Sequence, residues 1–415
     1  MKLTRLELDI QLESPLLAGS DRSYGPYRDT KDYLPGVALR GALAQVLLDA
    51  CGQREHLEDH QACPAREDCD FYNIFCVEPF PIFENCYPSV TGGVSHPLPL
   101  TARTCKYYAG LKEEDSDPSR HGASDIVVRQ CTFEEMLDNE EVHPLPLLYE
   151  PKCPVCRRAV KPYRGFYGEG GPKYYRVKVP LSRTSRTAIN RSRGVAEDGM
   201  LYSLQVMEPR IKEQVLSLRG SIVLDEERMA LVEGALRKVH RVGSGRSRGL
   251  GKIRIQTLGY DSPPSVSLDR RVTKFNEKVG KERAFYYKAK GLEPPPDGSW
   301  LFTIDLLSDA LLTAQGLPAA RLRPEQLNLG HEKIGLIRSF ARHRTVGGWA
   351  AGAGLPRTTE LATVMGSVFV YRVEGAELEE LLPSLEELEE RGVGRERERG
   401  FGQVQICSPF HLEVM

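Results

Sequence analysis

The sequence predicts an α+β protein of two similar units, each a small antiparallel sheet with two helices on one face. Three observations predict it. A strand–helix–strand segment recurs in the two halves of the chain. Apolar residues alternate with period two where strands are expected and take helical spacing in between. The 415 residues also exceed what one compact core normally holds. With 40 % hydrophobic and 27 % charged residues the composition is that of a globular protein, which excludes wholesale disorder.

Taken in order, Leu3–Leu12 opens the chain as a strand, with Leu3, Leu6, Leu8, Ile10 and Leu12 spaced mainly by two. The loop LAGSDRSYGPYRDTKDY follows. LPGVALRGALAQVLLDA then has helical spacing at Val37, Leu39, Ala42, Leu43, Val46 and Leu47, and Pro35 suits the helix start. Residues from about 51 to 175 fit neither unit and are expected to be an insertion. Residues 219–255 form the first copy of the repeat: a Gly-Ser strand, an acidic helix at about 226–239, a Gly/Arg loop and a last strand. Residues 365–406 repeat that order, with an acidic helix at about 376–390, after a strand at Trp300–Leu307. The ends match best, RGLGKIRI at 248–255 against RGFGQVQI at 399–406. The implied unit is ferredoxin-like. The expected organisation is a first domain over 1–258 with its cysteine-bearing insertion, a linker or arm over 259–298 rich in Pro and charge, and a second domain over 299–415.

No run of about 18 apolar residues exists, so no membrane span is expected, and the N-terminus lacks the apolar stretch of a signal peptide. A cytoplasmic location follows as the expectation, with ten cysteines kept reduced and some available for metal ligation.

The net charge of −1 hides a strong segregation. Lys152–Arg193 holds twelve basic residues and one acid, Glu113–Glu141 ten acids and two bases, and Arg237–Arg254 seven bases and no acid. That pattern suits an anion-binding surface with acidic faces elsewhere.

VGSGRSRGLGKIRI comes close to a dinucleotide fingerprint. That fingerprint must follow a strand and open a helix, whereas here a helix ends and a strand begins, and no Lys-Ser or Lys-Thr closes the loop. A nucleotide-cofactor fold is rejected. The loop suits a nucleic-acid backbone instead. Gly243, Gly245, Gly249 and Gly251 permit φ > 0 and close approach, while Arg246, Ser247, Arg248, Lys252 and Arg254 offer donors to phosphate. Arg399, Gly400 and Gly402 repeat the pattern. A second basic element places Arg183, Arg186, Arg191 and Arg193 among Ser, Thr and Asn ahead of Tyr202, and a third carries Arg338, Arg342, His343, Arg344 and Trp349. Arg40, on the first helix, joins the candidate RNA-binding set.

Together these motifs resemble the repeat-associated mysterious protein (RAMP) superfamily of CRISPR effector subunits, over nearly the whole chain. LPGVALRGAL looks like its first helix and lead-in, the two R-G-[LF]-G loops like its glycine-rich signature, and R-T-A-I-N-R-x-R-G-x-A-x-x-G-x-L-Y-S like the segment of its crRNA-contacting members. Two domains, a cysteine-bearing insertion and W-x-x-x-x-G-L-P ahead of G-S-V-F are most similar to the two-domain subunit of type III-D complexes. The resemblance implies a subunit that binds crRNA at its 5′ repeat-derived handle. Its implied neighbours are the backbone subunits and the large signalling subunit, with target RNA met indirectly.

Cys153-Pro-Val-Cys156 is a zinc half-site, two thiols on one tight turn. Two ligands are missing. They are either Cys105 and His121, whose T-C-K and H-G settings resemble elements of the type III-D branch, or Cys63 and Cys69 from CPAREDCDFYNIFC, which also holds Cys76. Cys51, Cys86, Cys131 and Cys407 lie outside any ligand spacing. Zinc here would be structural, ordering an acidic, irregular segment.

Backbone subunits of such complexes use an aspartate in the loop after the first strand to cut target RNA with a metal such as Mg²⁺. The corresponding loop offers Asp21, Asp29 and Asp32, also ordinary turn residues. His343 is the best placed base for metal-free cleavage. The residues favour RNA binding over cleavage or a mainly protein-binding scaffold.

Overall fold

The computed structural model describes residues 3–19, 23–53, 59–89, 93–111, 119–137, 151–170, 173–211, 213–261, 266–289, 291–294, 298–350 and 354–413. Its first sheet is ordered Ile253–Tyr260, Leu3–Leu12, Ser217–Asp225 and Ile82–Phe83, with Tyr87–Ser89 also pairing to Ser217–Asp225, and every pairing is antiparallel. Leu3 pairs with Asp225 and Gln11 with Ser217 along the central ladder. Leu6, Leu8, Ile10 and Leu12 are all buried, as their spacing requires. The helices Gly36–Asp49 and Glu226–Leu236 cover one face, and their Leu39, Leu43, Val232 and Leu236 join the strand residues in one core. Asp225 caps the second helix by accepting from the Arg228 N–H.

The second sheet runs Ile334–Phe340, Val368–Glu374, Ser299–Leu306 and Val404–Ile406, again wholly antiparallel. In chain order both sheets read second, third, first, fourth strand, the ferredoxin-like arrangement that the repeat predicts. The α+β class and its two related sheets are those expected.

The expected linker over 259–298 is corrected. Leu268–Ala289 is a 22-residue helix whose Leu268, Val272, Phe275 and Val279 lie in the second core. Arg271, 2 % exposed, donates to both carboxylate oxygens of Glu389, at 2.8 and 2.6 Å, tying this helix to the acidic helix Leu378–Arg391. The apolar residues fall four, three and four apart, which is helical. The Pro- and charge-rich segments on either side mask that stripe. This helix precedes the first strand of the second unit, where the first unit places its own first helix after the strand.

The boundaries expected for the insertion, about 51–175, also shift. Ile82–Phe83 and Tyr87–Ser89 belong to the first sheet, and Val127–Leu137 packs against Leu268–Ala289, with Val127, Val128 and Cys131 inside the second core. The segment therefore completes both units. A buried histidine fastens it: His411 lies between Asp125, at 2.9 Å, and Asp305 on the second sheet, at 2.7 Å. Burial would lower the His411 pKa, but the two carboxylates raise it to about 10. No helix among the described residues is long and apolar enough to cross a membrane.

Candidate nucleic-acid interface and metal centre

Residues 181–207, read from the sequence only as a basic element, form a long hairpin of Leu181–Asn190 against Val195–Met207. Alternation decides how it sits. Leu204 and Val206 point inward and pack with Leu250 of the first glycine loop and with Leu17, which opens the loop after the first strand. Cross-strand partners share a face, so Arg186 opposite Tyr202 lies on that side, while Arg183, Ser185, Ser203 and Gln205 lie on the other. The Asn190 carboxamide oxygen accepts from the Ser192 and Arg193 N–H groups, each at 3.1 Å, closing the turn that exposes Arg191 and Arg193. Tyr27–Arg28, from the loop after the first strand, adds alongside Ser203 and Leu204 in parallel. Tyr27, which sequence reasoning did not single out, lies under the Arg183 guanidinium at 4.8 Å from its ring.

The first glycine loop closes against this hairpin. Arg246–Arg248 is a single turn of 3-10 helix between Gly245 and Gly249, both left-handed, with φ of 74° and 84°. Arg248 donates to the Tyr202 hydroxyl at 3.1 Å and sits over its ring. Arg246, Ser247, Arg248 and Gly249 are exposed. Gly251 has a different duty: its N–H donates to the Pro15 carbonyl and its own carbonyl accepts from Val242, both at 2.9 Å. Lys252 and Arg254 share Glu13, at 2.8 and 2.9 Å.

The second loop has the same geometry in a different setting. Its 3-10 turn Arg397–Arg399 lies between left-handed Glu396 and Gly400. A Cβ on Gly400 would come within 2.7 Å of the Phe83 carbonyl oxygen and 3.2 Å of the Gly36 Cα. Arg399 is almost buried and pairs with Glu396. Burial lowers the pKa of Arg40, whose charge lies near those of Glu398 and Arg399 and whose guanidinium stacks on Phe75 at 4.9 Å. Nearby, the Asn85 carboxamide accepts from Gly36 at 2.9 Å while the Asn85 N–H donates to Gln403 at 3.0 Å. The second loop thus joins the two units, and Arg40, Arg399, Gly400 and Gly402 gather at that junction. Gly402 donates to the Asp309 carbonyl at 2.8 Å. Arg344 is engaged by the same aspartate's carboxylate, and Trp349 lies in the short strand Trp349–Ala350.

Asp21 lies outside the described residues. Asp29 and Asp32 are half-exposed at the foot of the Ser23–Arg28 hairpin and join no group of three or more His, Cys, Asp or Glu ligands among the described residues. The His343 ring meets the Ala320 carbonyl at 2.7 Å.

Among the described residues one such group exists: Cys105, His121, Cys153 and Cys156, with ligand atoms all within 4.8 Å of one another. Of the two alternatives for completing the Cys153–Cys156 pair, the structure gathers this one. Cys63 and Cys69 stand apart, the latter capping the helix Asp70–Phe75. Cys105 ends the strand Ala102–Cys105, which pairs with Val160–Pro162 just after the Cys153–Cys156 turn. The Cys105 and Cys156 sulfurs are 3.7 Å apart, and Cys153 Sγ lies 3.4 Å from His121 Nδ1. Tetrahedral zinc with sulfur at about 2.3 Å and nitrogen at about 2.0 Å spaces two sulfurs by roughly 3.8 Å and a sulfur and a nitrogen by roughly 3.5 Å, so these four residues fit it. Burial opposes ionisation of Cys105, yet the Tyr108 and Tyr107 N–H groups and the neighbouring sulfurs hold its pKa below the ordinary thiol value. The Arg158 N–H lowers the Cys156 thiol, but burial and hydrogen bonds to Cys153 and Cys105 leave it raised overall. Opposite shifts are expected where one thiol of a group ionises first.

The RAMP superfamily profile matches residues 9–254, more than half of the chain, and spans the first sheet, the hairpin and the first glycine loop. The chain belongs to the RAMP superfamily. A second family, described as CRISPR-associated protein (Cas_Cmr3), matches residues 186–409, so the chain is a RAMP protein of that family. No curated protein matches the sequence. Among solved structures, a chain of the Type III-B Cmr-beta complex bound to cognate target RNA and AMPPnP aligns with TM-score 0.40 at 10 % identity, over 88 % of this chain and 86 % of the other. A chain of the Csm3-Csm4 subcomplex of the type III-A CRISPR-Cas interference complex aligns with TM-score 0.35 at 12 % identity, over 88 % and 92 %.

Proposed function

We propose that this RAMP protein is an RNA-binding subunit of a type III CRISPR effector complex and holds the crRNA at its 5′ repeat-derived handle, in a complex of the type III-D branch. The observation that carries the reading is the joint surface of the arginine hairpin and the first glycine loop. Arg186 lies with Tyr202 on the hairpin's inner side, where Arg248 of the exposed turn Arg246–Arg248 sits over the Tyr202 ring. Arg183 lies over Tyr27 on the other face, and Arg191 and Arg193 project from the hairpin turn, so the arginines line both faces and the tip of one ridge. Phosphate is met by forked guanidinium donors, and an unpaired base stacks on a tyrosine ring. The glycines set the loop's shape, and the arginines beside them make the contacts. Arg40, Arg344, Trp349, Arg399, Gly400 and Gly402 belong to the same proposal only at its margin, where RNA follows the junction between the units. The zinc-type centre is structural, and the residues that would hold the ion are Cys105, His121, Cys153 and Cys156.

Charge reversal tests the surface. Arg186→Glu and, separately, Arg248→Glu should each weaken guide-RNA binding several-fold, measured by fluorescence anisotropy, with melting temperatures unchanged. Unaltered affinity in both variants would refute the assignment.

A further inference from the structure

The four sulfur and nitrogen ligands also fix the residues beside them. Lys106, Tyr107 and Tyr108 follow Cys105, and Arg157 and Arg158 follow Cys156; all five are exposed. Tyr107 is 59 % and Tyr108 42 % exposed, unusual for two adjacent aromatic rings. The Arg158 guanidinium lies 5.2 Å from the Tyr107 ring centre, and the Tyr108 ring packs at 4.4 Å on the ring of His121. Exposed Lys152, Lys161 and Arg164 extend the same positive face. Lys106, Arg157, Arg158 and Lys161 take part in no ion pair among the described residues. Segments 51 residues apart in sequence are brought to one surface by the ligand set.

We propose that this knuckle is a second contact for single-stranded RNA, distinct from the arginine hairpin, in which one unpaired base stacks on Tyr107 and flanking phosphates meet Lys106, Arg157 and Arg158. The chemistry favours RNA over a protein partner. Rings interleaved with unneutralised cations match a chain of alternating bases and phosphates, whereas a protein interface wants a contiguous apolar centre with few charges. The metal's part is to hold Cys105 and Cys156 together, so that ring and guanidinium face solvent as one preformed site. The inference rests on the reading of the chain as an RNA binder.

The test uses the full-length, zinc-containing chain and a fluorescein-labelled single-stranded oligouridine. The double variant Tyr107→Ala with Arg158→Ala should bind roughly five- to tenfold more weakly, while Tyr107→Trp, which keeps a stacking ring, should stay within about twofold of the parent. Zinc content measured on every variant shows that the knuckle is intact. Crosslinking with 4-thiouridine should label the peptides holding Tyr107 and Arg158. A double variant that retains zinc and binds normally, or crosslinks confined to residues 183–193 and 246–252, would overturn the proposal. Arg248→Glu, run alongside, separates the two surfaces. Loss there without loss at Tyr107 refutes the knuckle and leaves the hairpin site standing; the converse supports the knuckle and removes the loop.

Discussion

Two glycines of the first loop share a conformation and differ in what surrounds them, which allows strain and packing to be weighed separately. Gly249 has φ of 84° and Gly251 has φ of 74°. A Cβ at Gly249 meets nothing within 4 Å, whereas a Cβ at Gly251 overlaps the carbonyl oxygen of Val242. Gly249→Ala therefore costs only the left-handed backbone, about 1–2 kcal/mol. Gly251→Ala adds the displacement of that carbonyl and the loss of two backbone hydrogen bonds, to Pro15 and from Val242, each worth about 1 kcal/mol, for a total of roughly 3–5 kcal/mol. With an unfolding entropy of roughly 2.1 cal/mol/K per residue over 415 residues, each kcal/mol is worth about 1 °C, so differential scanning calorimetry should show a loss of about 1–2 °C for Gly249→Ala and about 4–5 °C for Gly251→Ala. Equal shifts would refute the claim that Gly251 is kept by its contact with Val242. Gly402, whose Cβ would overlap the Val393 carbonyl oxygen in the same way, should behave like Gly251.

Other predictions follow from the same structure. Because the folded-state pKa of His411 is raised to about 10 from an unfolded value near 6.5, its stabilising charge is fully present below about pH 6.5 and is lost as pH rises towards 10. The melting temperature should fall across that window, and His411→Gln should flatten the fall; a parental curve without a slope between pH 7 and 10 would contradict a charged His411. Purified protein should hold one equivalent of zinc by elemental analysis, Cys153→Ser should lose it, and Cys63→Ser should keep it. A content well below half an equivalent in the parent would sink the centre. Asn85→Ala removes one partner from Gly36 and should cost about 1–2 kcal/mol while leaving guide-RNA affinity unchanged, read by chemical denaturation and anisotropy.

How far the sequence carries depends on whether each signal has one physical cause. The strand Leu3–Leu12 and the helix from Gly36 are legible because period-two and helical spacing of buried leucines leave little else to form. The repeat is legible because both copies keep the same strand, acidic helix and glycine turn. The helix Leu268–Ala289 is not, since prolines at 263, 264 and 294–296 dominate the local composition and hide four apolar residues. The glycine loops mislead differently. Glycine marks a positive φ or a close approach without saying what approaches, and at Gly400 it is the first unit's own backbone. Spacing identifies Cys153 and Cys156 as a pair, but their partners come from residues 32 and 51 positions away, a separation only the folded strands close. The hairpin's arginines are plain in the sequence; Tyr27, far away in the chain, carries no signal that it would lie beneath Arg183.

The central claim, that the hairpin and first glycine loop grip the guide RNA at its handle, is tested most directly by measuring affinity for a guide RNA with the repeat-derived 5′ handle against a scrambled handle at several salt concentrations. The account predicts tighter binding of the true handle and a steep salt dependence. If about five phosphates are neutralised, the logarithm of affinity should fall with a slope near −3.5 against the logarithm of salt concentration. Equal, weak and salt-insensitive binding of both RNAs would contradict it.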